Sequence, residues 1–315
     1  MTNDRPFISV IVCTLNRSAH LFRTLSYFVD QEDYTPFEVI VVDQSDELSP
    51  TLAKLIEANP DRFRLTRRDQ KSLPKSRNAG IRLAKGSILV FVDDDVEILP
   101  GFLNAHSVAL SDAAIWGSTG PVFVPGDSRD LVSAHLLPPI ELHQISACRV
   151  NRWDLDFAYE PTYLCGCNMA IRRDALEKIG LFNEVLEIHC DDAEISSRIR
   201  WNGGSLLYTP QARLIHHRVP EGGTRDDPIR SPEYVRKYAR SSFFWARETQ
   251  IDPLRAIWRL ARVFIFCRRP LAIRQFIGLC QGLIEGHRDY VRQGRPGPST
   301  VSANAMNRIH SAKLK

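Results

Sequence analysis

Three mostly apolar runs, rich in β-branched residues, mark the first hundred positions: FISVIVC over Phe7–Cys13, FEVIVV over Phe37–Val42 and SILVFV over Ser87–Val92. A strand with one wet face alternates polar and apolar residues, so continuous runs need cover on both faces, as inside a parallel sheet. Stretches with helical spacing lie between and after them: Ala19–Phe28, Pro50–Ala58, Lys75–Lys85 and Pro100–Leu110. Gly86 is expected to cap the third of these, and Phe63–Thr66 reads as a further short strand. Strand and helix in alternation predict an α/β fold with a doubly wound, mainly parallel sheet and helices on both faces. Such sheets bind ligands beyond the carboxyl ends of their strands. Three polar clusters fall there: Thr14-Leu15-Asn16-Arg17, Asp43-Gln44-Ser45-Asp46 and Asp93-Asp94-Asp95.

The later sequence is less regular. Residues 125–161 show little pattern, Ser205–Thr209 and Arg213–His216 read as strands, and Arg218–Pro232 has the Gly, Pro and charge content of a flexible loop. Pro232–Arg292 reads as mainly helical with a break at Pro270, followed by a tail. The expected layout is a first domain over 1–220, in two halves that meet at about 120. A loop and basic helical extension follow over 221–292, then a disordered tail over 293–315.

Composition narrows the class. With 43% apolar and 25% charged residues, the 315-residue chain can bury a sizeable core. No run reaches the roughly 18 apolar residues of a spanning helix. The polar N-terminus passes into an apolar run without a cleavage site, so the expected location is cytoplasmic. Seven irregularly spaced cysteines predict reduced, structural thiols. Cys165-Gly166-Cys167 hints at a metal clip, but no second Cys or His pair stands nearby at zinc spacing.

Net charge is +4, yet from Arg225 to Lys315 there are 18 basic against 7 acidic residues, +11 there and −7 before it. Arg255, Arg259 and Arg262 share one helical face, and Val263–Phe266 is apolar at every position. This is the composition of a helix lying on an anionic membrane surface, which predicts peripheral association with the inner face of a cell membrane. No nucleic-acid-binding module is recognisable, and nucleic acid is not expected as a partner.

Three adjacent carboxylates at a strand end repel each other unless a cation sits among them, and oxygen ligands suit Mg²⁺ or Mn²⁺. On an extended segment Asp93 and Asp95 share a face. Five segments in order, SVIVCTLNR (Ser9–Arg17), VVDQSD (Val41–Asp46), LPKSRNAG (Leu73–Gly80), FVDDD (Phe91–Asp95) and GCNMAIRR (Gly166–Arg173), resemble family 2 glycosyltransferases with the GT-A fold. A sixth, DDAEISSRIRWNGG (Asp191–Gly204), resembles the family's acidic pair on a helix near the acceptor.

The resemblance implies a metal-dependent, inverting transfer of a sugar from a nucleotide-diphosphate sugar to an acceptor hydroxyl. It implies that Thr14, Asn16, Arg17 and Asp94 line the nucleotide pocket and that Asp43 accepts a hydrogen bond from the base. A uridine or thymidine nucleotide fits such a contact. Arg77 and Asn78 would lie near the diphosphate, and Asp93 and Asp95 would form the DxD metal site, with Asp95 the better placed for direct contact. His216 or His217 would add a ligand, the choice between them open. Gly166 and Asn168 would approach the sugar or acceptor. Asp192 would be the general base, with Asp191 an alternative because the family commonly has Glu-Asp there, and Glu194 a structural residue. The acceptor implied is a growing bacterial-type glycan, and the basic helices suggest that it is lipid-linked. Two other readings are a non-catalytic glycan- or membrane-binding protein on the same fold and a nucleotidyltransferase. The second lacks its glycine-rich loop, since residues 9–18 contain no glycine.

Overall fold

The structure, a computed structural model, describes residues 5–29, 34, 36–125, 156–187, 189–223, 231–248 and 273–293. The chain divides into two compact units: Met1–Phe182 with Gly204–Thr224, and Asn183–Gly203 with Arg225–Lys315. The arginine-lined helix expected around Arg255–Arg262, residues 126–155 and the tail beyond 293 lie outside the described residues.

The first unit is built on a seven-stranded sheet of order β3-β2-β1-β4-β8-β6-β9. Its strands are β1 (Ile8–Thr14), β2 (Phe37–Asp43), β3 (Phe63–Arg67), β4 (Ile88–Val92), β6 (Ile115–Thr119), β8 (Asn168–Arg172) and β9 (Ser205–Tyr208). The first four run parallel, β8 is antiparallel to both neighbours, and β9 pairs parallel to β6. A smaller sheet joins β5 (Val96–Ile98), β10 (Leu214–His216) and β7 (Val122–Phe123).

Strand parity puts helices on both faces. Ile8, Val10 and Val12 belong to one core cluster with Leu21, Leu25 and Phe28 of α1 (Ser18–Val29). Ile11, of the opposite parity, meets Gly80 of α3 (Leu73–Leu83) closely enough to exclude a Cβ there. Each such buried side chain contributes about 1.5–3 kcal/mol. The strands and helices expected in the first 110 residues all form, with bounds moved by at most two residues, including α2 (Pro50–Glu57) and α4 (Phe102–Ala109).

Gly86 has a different task from the one expected. The backbone turns at Ala84, in an extended rather than left-handed conformation. A Cβ on Gly86 would meet Ser9 N at 2.5 Å and Phe7 O at 2.7 Å. Glycine is required by close approach to β1, not by a helix cap. Buried Glu38 fixes this same edge, accepting from Ser9 Oγ and Lys85 N, both at 2.7 Å.

After α5 (Arg173–Ile179), the chain leaves the sheet unit. The second unit holds α6 (Asp191–Trp201), α7 (Pro232–Glu248) and α8 (Ile273–Arg292). Gly278, Gly282 and Gly286 of α8 meet the carbonyls of Pro232, Arg236 and Arg240 in turn, so α7 and α8 run parallel in close contact. Glycine at every fourth position lets helix backbones approach, and Cα–H···O contacts favour the arrangement. Arg236 pairs with Glu285 and Arg240 with Asp289 across this seam. The segment ahead of α6 is tied to the same helices. His189 stacks on Tyr238 at 4.0 Å and contacts Ser242 Oγ at 2.6 Å, while Glu187 takes Arg240 at 2.9 Å. Among the described residues, no helix is long and apolar enough to cross a membrane.

Candidate active site

Sheet register assembles the site. Thr14 pairs with Asp43 across β1 and β2, and the β1–β4 register, Val12 opposite Val92, continues to set Thr14 opposite Asp94. Thr14 Oγ1 accordingly donates to Asp94 Oδ2 at 2.7 Å. In the antiparallel pair β4–β8, Val92 faces Asn168, so one step further Asp93 faces Cys167. Likewise β10 sets His216 opposite Val96, and His217 N donates to Asp95 O at 3.0 Å. Three pairings thus bring Asp93, Asp95, Cys167 and His216 to one place.

The three adjacent aspartates have three environments. The Asp93 side chain keeps 35% of its exposure. Asp94 is buried under Thr14 and Arg17, and burial pushes its carboxyl up to about 6 despite both partners. Burial would raise Asp95 too, but His216, the Val219 N–H and Arg17 outweigh it and hold the group at about 2. Asp95 Oδ2 accepts from Val219 N at 2.9 Å and Arg17 Nη1 at 3.4 Å. Asp95 Oδ1 is buried without a donor in hydrogen-bonding geometry, although His216 Nε2 stands 3.1 Å away.

The structure separates the two histidines. His216 is buried, with Nε2 3.1 Å from Asp95 and 3.7 Å from Asp93. His217 is half exposed and turns to Glu97 at 3.8 Å. Two carboxylates and an imidazole form a donor set that fits Mn²⁺, and the orphaned Asp95 oxygen is the kind of atom a cation would satisfy. Cys167 joins them: Asp93, Cys167 and His216 each offer a ligand atom, all within 4.8 Å of one another. The Cys165 hydrogen bond and burial push the Cys167 thiol up. No zinc spacing along the sequence marks this cluster, because its members come from three separate strand ends.

Other expected site residues also have partners within the protein. Arg17 donates to Asp94 at 3.1 Å, to Val219 O at 2.7 Å and to Glu221 O at 2.6 Å. It thereby clamps the segment after β10, where Gly222 and Gly223, at positive φ, pack against it. Asn16, itself at φ 55°, ties the β1 loop to Asp46 and Ser45. Asp43 accepts from Ser45 N at 2.8 Å, with Arg67 Nε 3.7 Å from its other oxygen. Arg77 reaches Gly166 O at 2.7 Å and lies 4.0 Å from Asp93. Asn78 pairs its amide both ways with the Phe182 backbone, at 2.9 Å each.

Asn168 is tied to the protein in the same way. It is fully buried, donates to Pro121 O and Ala212 O, and meets His106 Nε2 at 3.1 Å. A carboxamide there locks β8 to the turns flanking β7 and β10, and so holds Cys167 and His216 in place. Asp191 and Asp192 belong to the second unit. They open α6 after Cys190, whose φ is 69°. Asp191 is buried, and the partly buried Asp192 accepts from Ala193 N at 2.8 Å. Glu194 is locked in a buried ion pair with Arg198 at 2.7 Å.

The pattern described as "Glycosyl transferase family 2" matches residues 9–180, more than half of the chain. The chain belongs to this family. Its family 2 segment covers the sheet from β1 to β8 and so holds Thr14, Asp43, Asp93, Asp95 and Cys167. The hyaluronan synthase of Pasteurella multocida is 26% identical over 243 residues, covering 68% of this chain and 25% of that protein. The chain spans about a quarter of the length of such curated relatives. Among solved structures, GalNAc-T7 with UDP, GalNAc and Mn²⁺ superposes with a TM-score of 0.61 at 19% identity, over 92% of this chain and 55% of that one. The mannosyltransferase PcManGT of Pyrobaculum calidifontis, with GDP-Man and Mn²⁺, gives 0.57 at 18%, over 93% and 89%. Both support the GT-A architecture of the family 2 sheet.

Proposed function

We propose that the chain is an inverting glycosyltransferase that moves a sugar from a nucleotide-diphosphate sugar to an acceptor hydroxyl. The observation that supports this most is the convergence of Asp93, Asp95 and His216 at the carboxyl edge of a family 2 sheet, beside the row Thr14, Asp43 and Asp94. Asp93, Asp95 and His216 would hold a divalent cation, Mn²⁺ or Mg²⁺, which supplies Lewis-acid neutralisation of the departing diphosphate. GalNAc-T7 and PcManGT were both solved with Mn²⁺.

Asp43 accepts from the N–H edge of the base, which suits uridine or thymidine. Thr14 and Arg17 fix Asp94, and through it the geometry of the two flanking aspartates. Arg77 brings positive charge toward the phosphates. Asp192, or Asp191 beside it, takes the proton from the acceptor hydroxyl as that oxygen attacks. The α6 N-terminus favours an ionised carboxylate there.

Binding of UDP, TDP, GDP and CMP, with and without Mn²⁺, tests this by thermal shift. A ligand at a hundred times its dissociation constant raises stability by about 2.7 kcal/mol. A metal-dependent shift for one diphosphate, lost in Asp95→Ala, supports the donor and metal assignments together. No shift for any nucleotide, from folded protein, would put the non-catalytic binding reading first. Asp192→Asn should bind donor but lose transfer, whereas full activity in that variant removes it as the base.

A membrane-associated acceptor has its own observation. Phe276, Ile277, Ile284 and Val291 stand exposed on α8, and Arg274, Arg288 and Arg292 are exposed with them. The acids of that helix, Glu285 and Asp289, are drawn to Arg236 and Arg240 of α7. An apolar stripe rimmed by uncancelled arginines suits anionic lipid, in keeping with a lipid-linked acceptor at the inner face of a membrane. Co-sedimentation with anionic liposomes at low salt tests it, and a chain that stays in the supernatant there would remove the membrane reading.

A further inference from the structure

We propose that the site at the end of β4 is a thiol-containing metal site that takes thiophilic divalent cations of the Zn²⁺ class, with Cys167 as a ligand beside Asp93 and His216. This rests on the metal reading of the same site but not on sugar transfer.

The ligand atoms of Asp93, Cys167 and His216 lie within 4.8 Å of one another. That is about twice a metal–ligand bond of roughly 2.0–2.3 Å, so one ion can reach all three with small rotamer adjustments. Cys167 and His216 are 6% and 7% exposed, and Asp93 opens the cluster to solvent. Asp95 Oδ1, a buried oxygen without a donor, stands 3.1 Å from His216 Nε2 beside this set. The ligands are also pre-positioned. Cys167 directly precedes β8, His216 ends β10, and the Asn168 amide binds Pro121 and Ala212 beside them.

The donor set decides the class of ion. Mg²⁺ takes oxygen ligands, whereas thiolate and imidazole shift preference toward Zn²⁺ and Co²⁺. Cys167 packs in the apolar core and also stands beside a carboxylate, an imidazole and the Cys165 sulfur at 3.5 Å. As the sulfur–metal bond forms, the thiol proton passes to solvent, so binding releases a proton.

Titration of the full chain with Co²⁺, followed by near-ultraviolet absorption, tests the assignment. A thiolate-to-Co²⁺ charge-transfer band should grow to saturation, be displaced by Zn²⁺, be absent in Cys167→Ser and persist in Cys280→Ser. Zn²⁺ affinity by competition should fall at least about tenfold in Cys167→Ser. Failure of the wild-type chain to give the band overturns the proposal, as does a band that survives Cys167→Ser or vanishes only in Cys165→Ser. Protection provides a second readout should the serine variant not fold: Zn²⁺ should slow alkylation of Cys167 in the wild-type chain, and equal rates with and without Zn²⁺ also overturn the idea. The two readings separate cleanly. A Mn²⁺-dependent nucleotide shift without the Co²⁺ band defeats this inference alone, and the band without any nucleotide shift defeats the transferase reading alone.

Discussion

In the sheet unit, the polar groups of the site are placed by rungs of β pairing: Thr14 opposite Asp43, and, one or two steps back from the aspartates, Val12 opposite Val92 and Val92 opposite Asn168. In the helical unit, Asp191 and Asp192 stand in the first turn of α6, and the segment leading to them is held by partners far along the chain, Tyr238, Arg240 and Ser242. Backbone pairing fixes position to within a strand step and depends little on which side chains point outward. Side-chain stacking and ion pairs fix position only while each partner is present. The first unit should therefore lose function through single ligands while keeping its fold, and the second should lose its fold through single contacts.

The largest effect expected is on the sheet side. Asp95→Ala should cut metal-dependent transfer about a thousandfold, several kcal/mol of lost charge stabilisation, with the first unit still folded by circular dichroism. Comparable loss of fold would contradict the idea that register alone holds that edge.

Acid comes next and reaches both units. His106 is fully buried and His189 partly so, stacked on Tyr238, and burial lowers each to about 4. The folded chain keeps them neutral while the unfolded chain protonates near 6.5, so their stabilisation is complete above that pH. It is lost as pH falls from about 6.5 to about 4, roughly 3 kcal/mol for each residue. Urea unfolding at pH 7 and pH 4.5 measures it. His106→Gln should flatten the pH dependence of the sheet unit and His189→Gln that of the helical unit, and a common response to either would show the two to unfold as one.

Gly282→Leu should follow, costing about 1–3 kcal/mol because the helix backbones leave no room at Arg236 O. Its melting transition should fall while metal-dependent nucleotide binding persists. The smallest contrast is between two arginines. Arg240→Ala breaks partly buried pairs to Glu187 and Asp289 and should cost about 2 kcal/mol. Arg172→Ala breaks an exposed pair with Asp174 and should cost less than about 1 kcal/mol. Equal losses would erase the distinction between the units.

The same contrast explains what could be read in the sequence. Continuous apolar runs revealed β1, β2 and β4, and the polar clusters at their ends pointed to Asp43, Asp93 and Asp95, because strand ends and sheet edges follow from local pattern. β8, NMAIR, gives no such run, and its place between β4 and β6 comes from pairing with both. Without that register, Cys167 could not be set beside Asp93. His216 and His217 are neighbours in a strand-like run, and only the pairing of β10 with β5 decides which turns inward. Asn78 and Asn168 have the side chains of ligand-binding residues, yet both satisfy buried backbone, which composition does not distinguish. The glycines at 278, 282 and 286 follow a four-residue step visible in the sequence, but their partner helix is not.

The residues Asn183–Gly203 form an excursion: the chain leaves the sheet unit after Phe182 and re-enters it at Gly204. The buttress for that excursion is encoded only after residue 225. A shortened gene ending at Thr224 would retain the whole family segment, 9–180, and would still encode Asp192. It would strip Glu187 of Arg240, His189 of Ser242 and Asn183 of Gln293. The footprint of the family and the footprint needed to hold its acidic helix are different lengths of the same chain, and any minimal version of this protein has to respect the longer one.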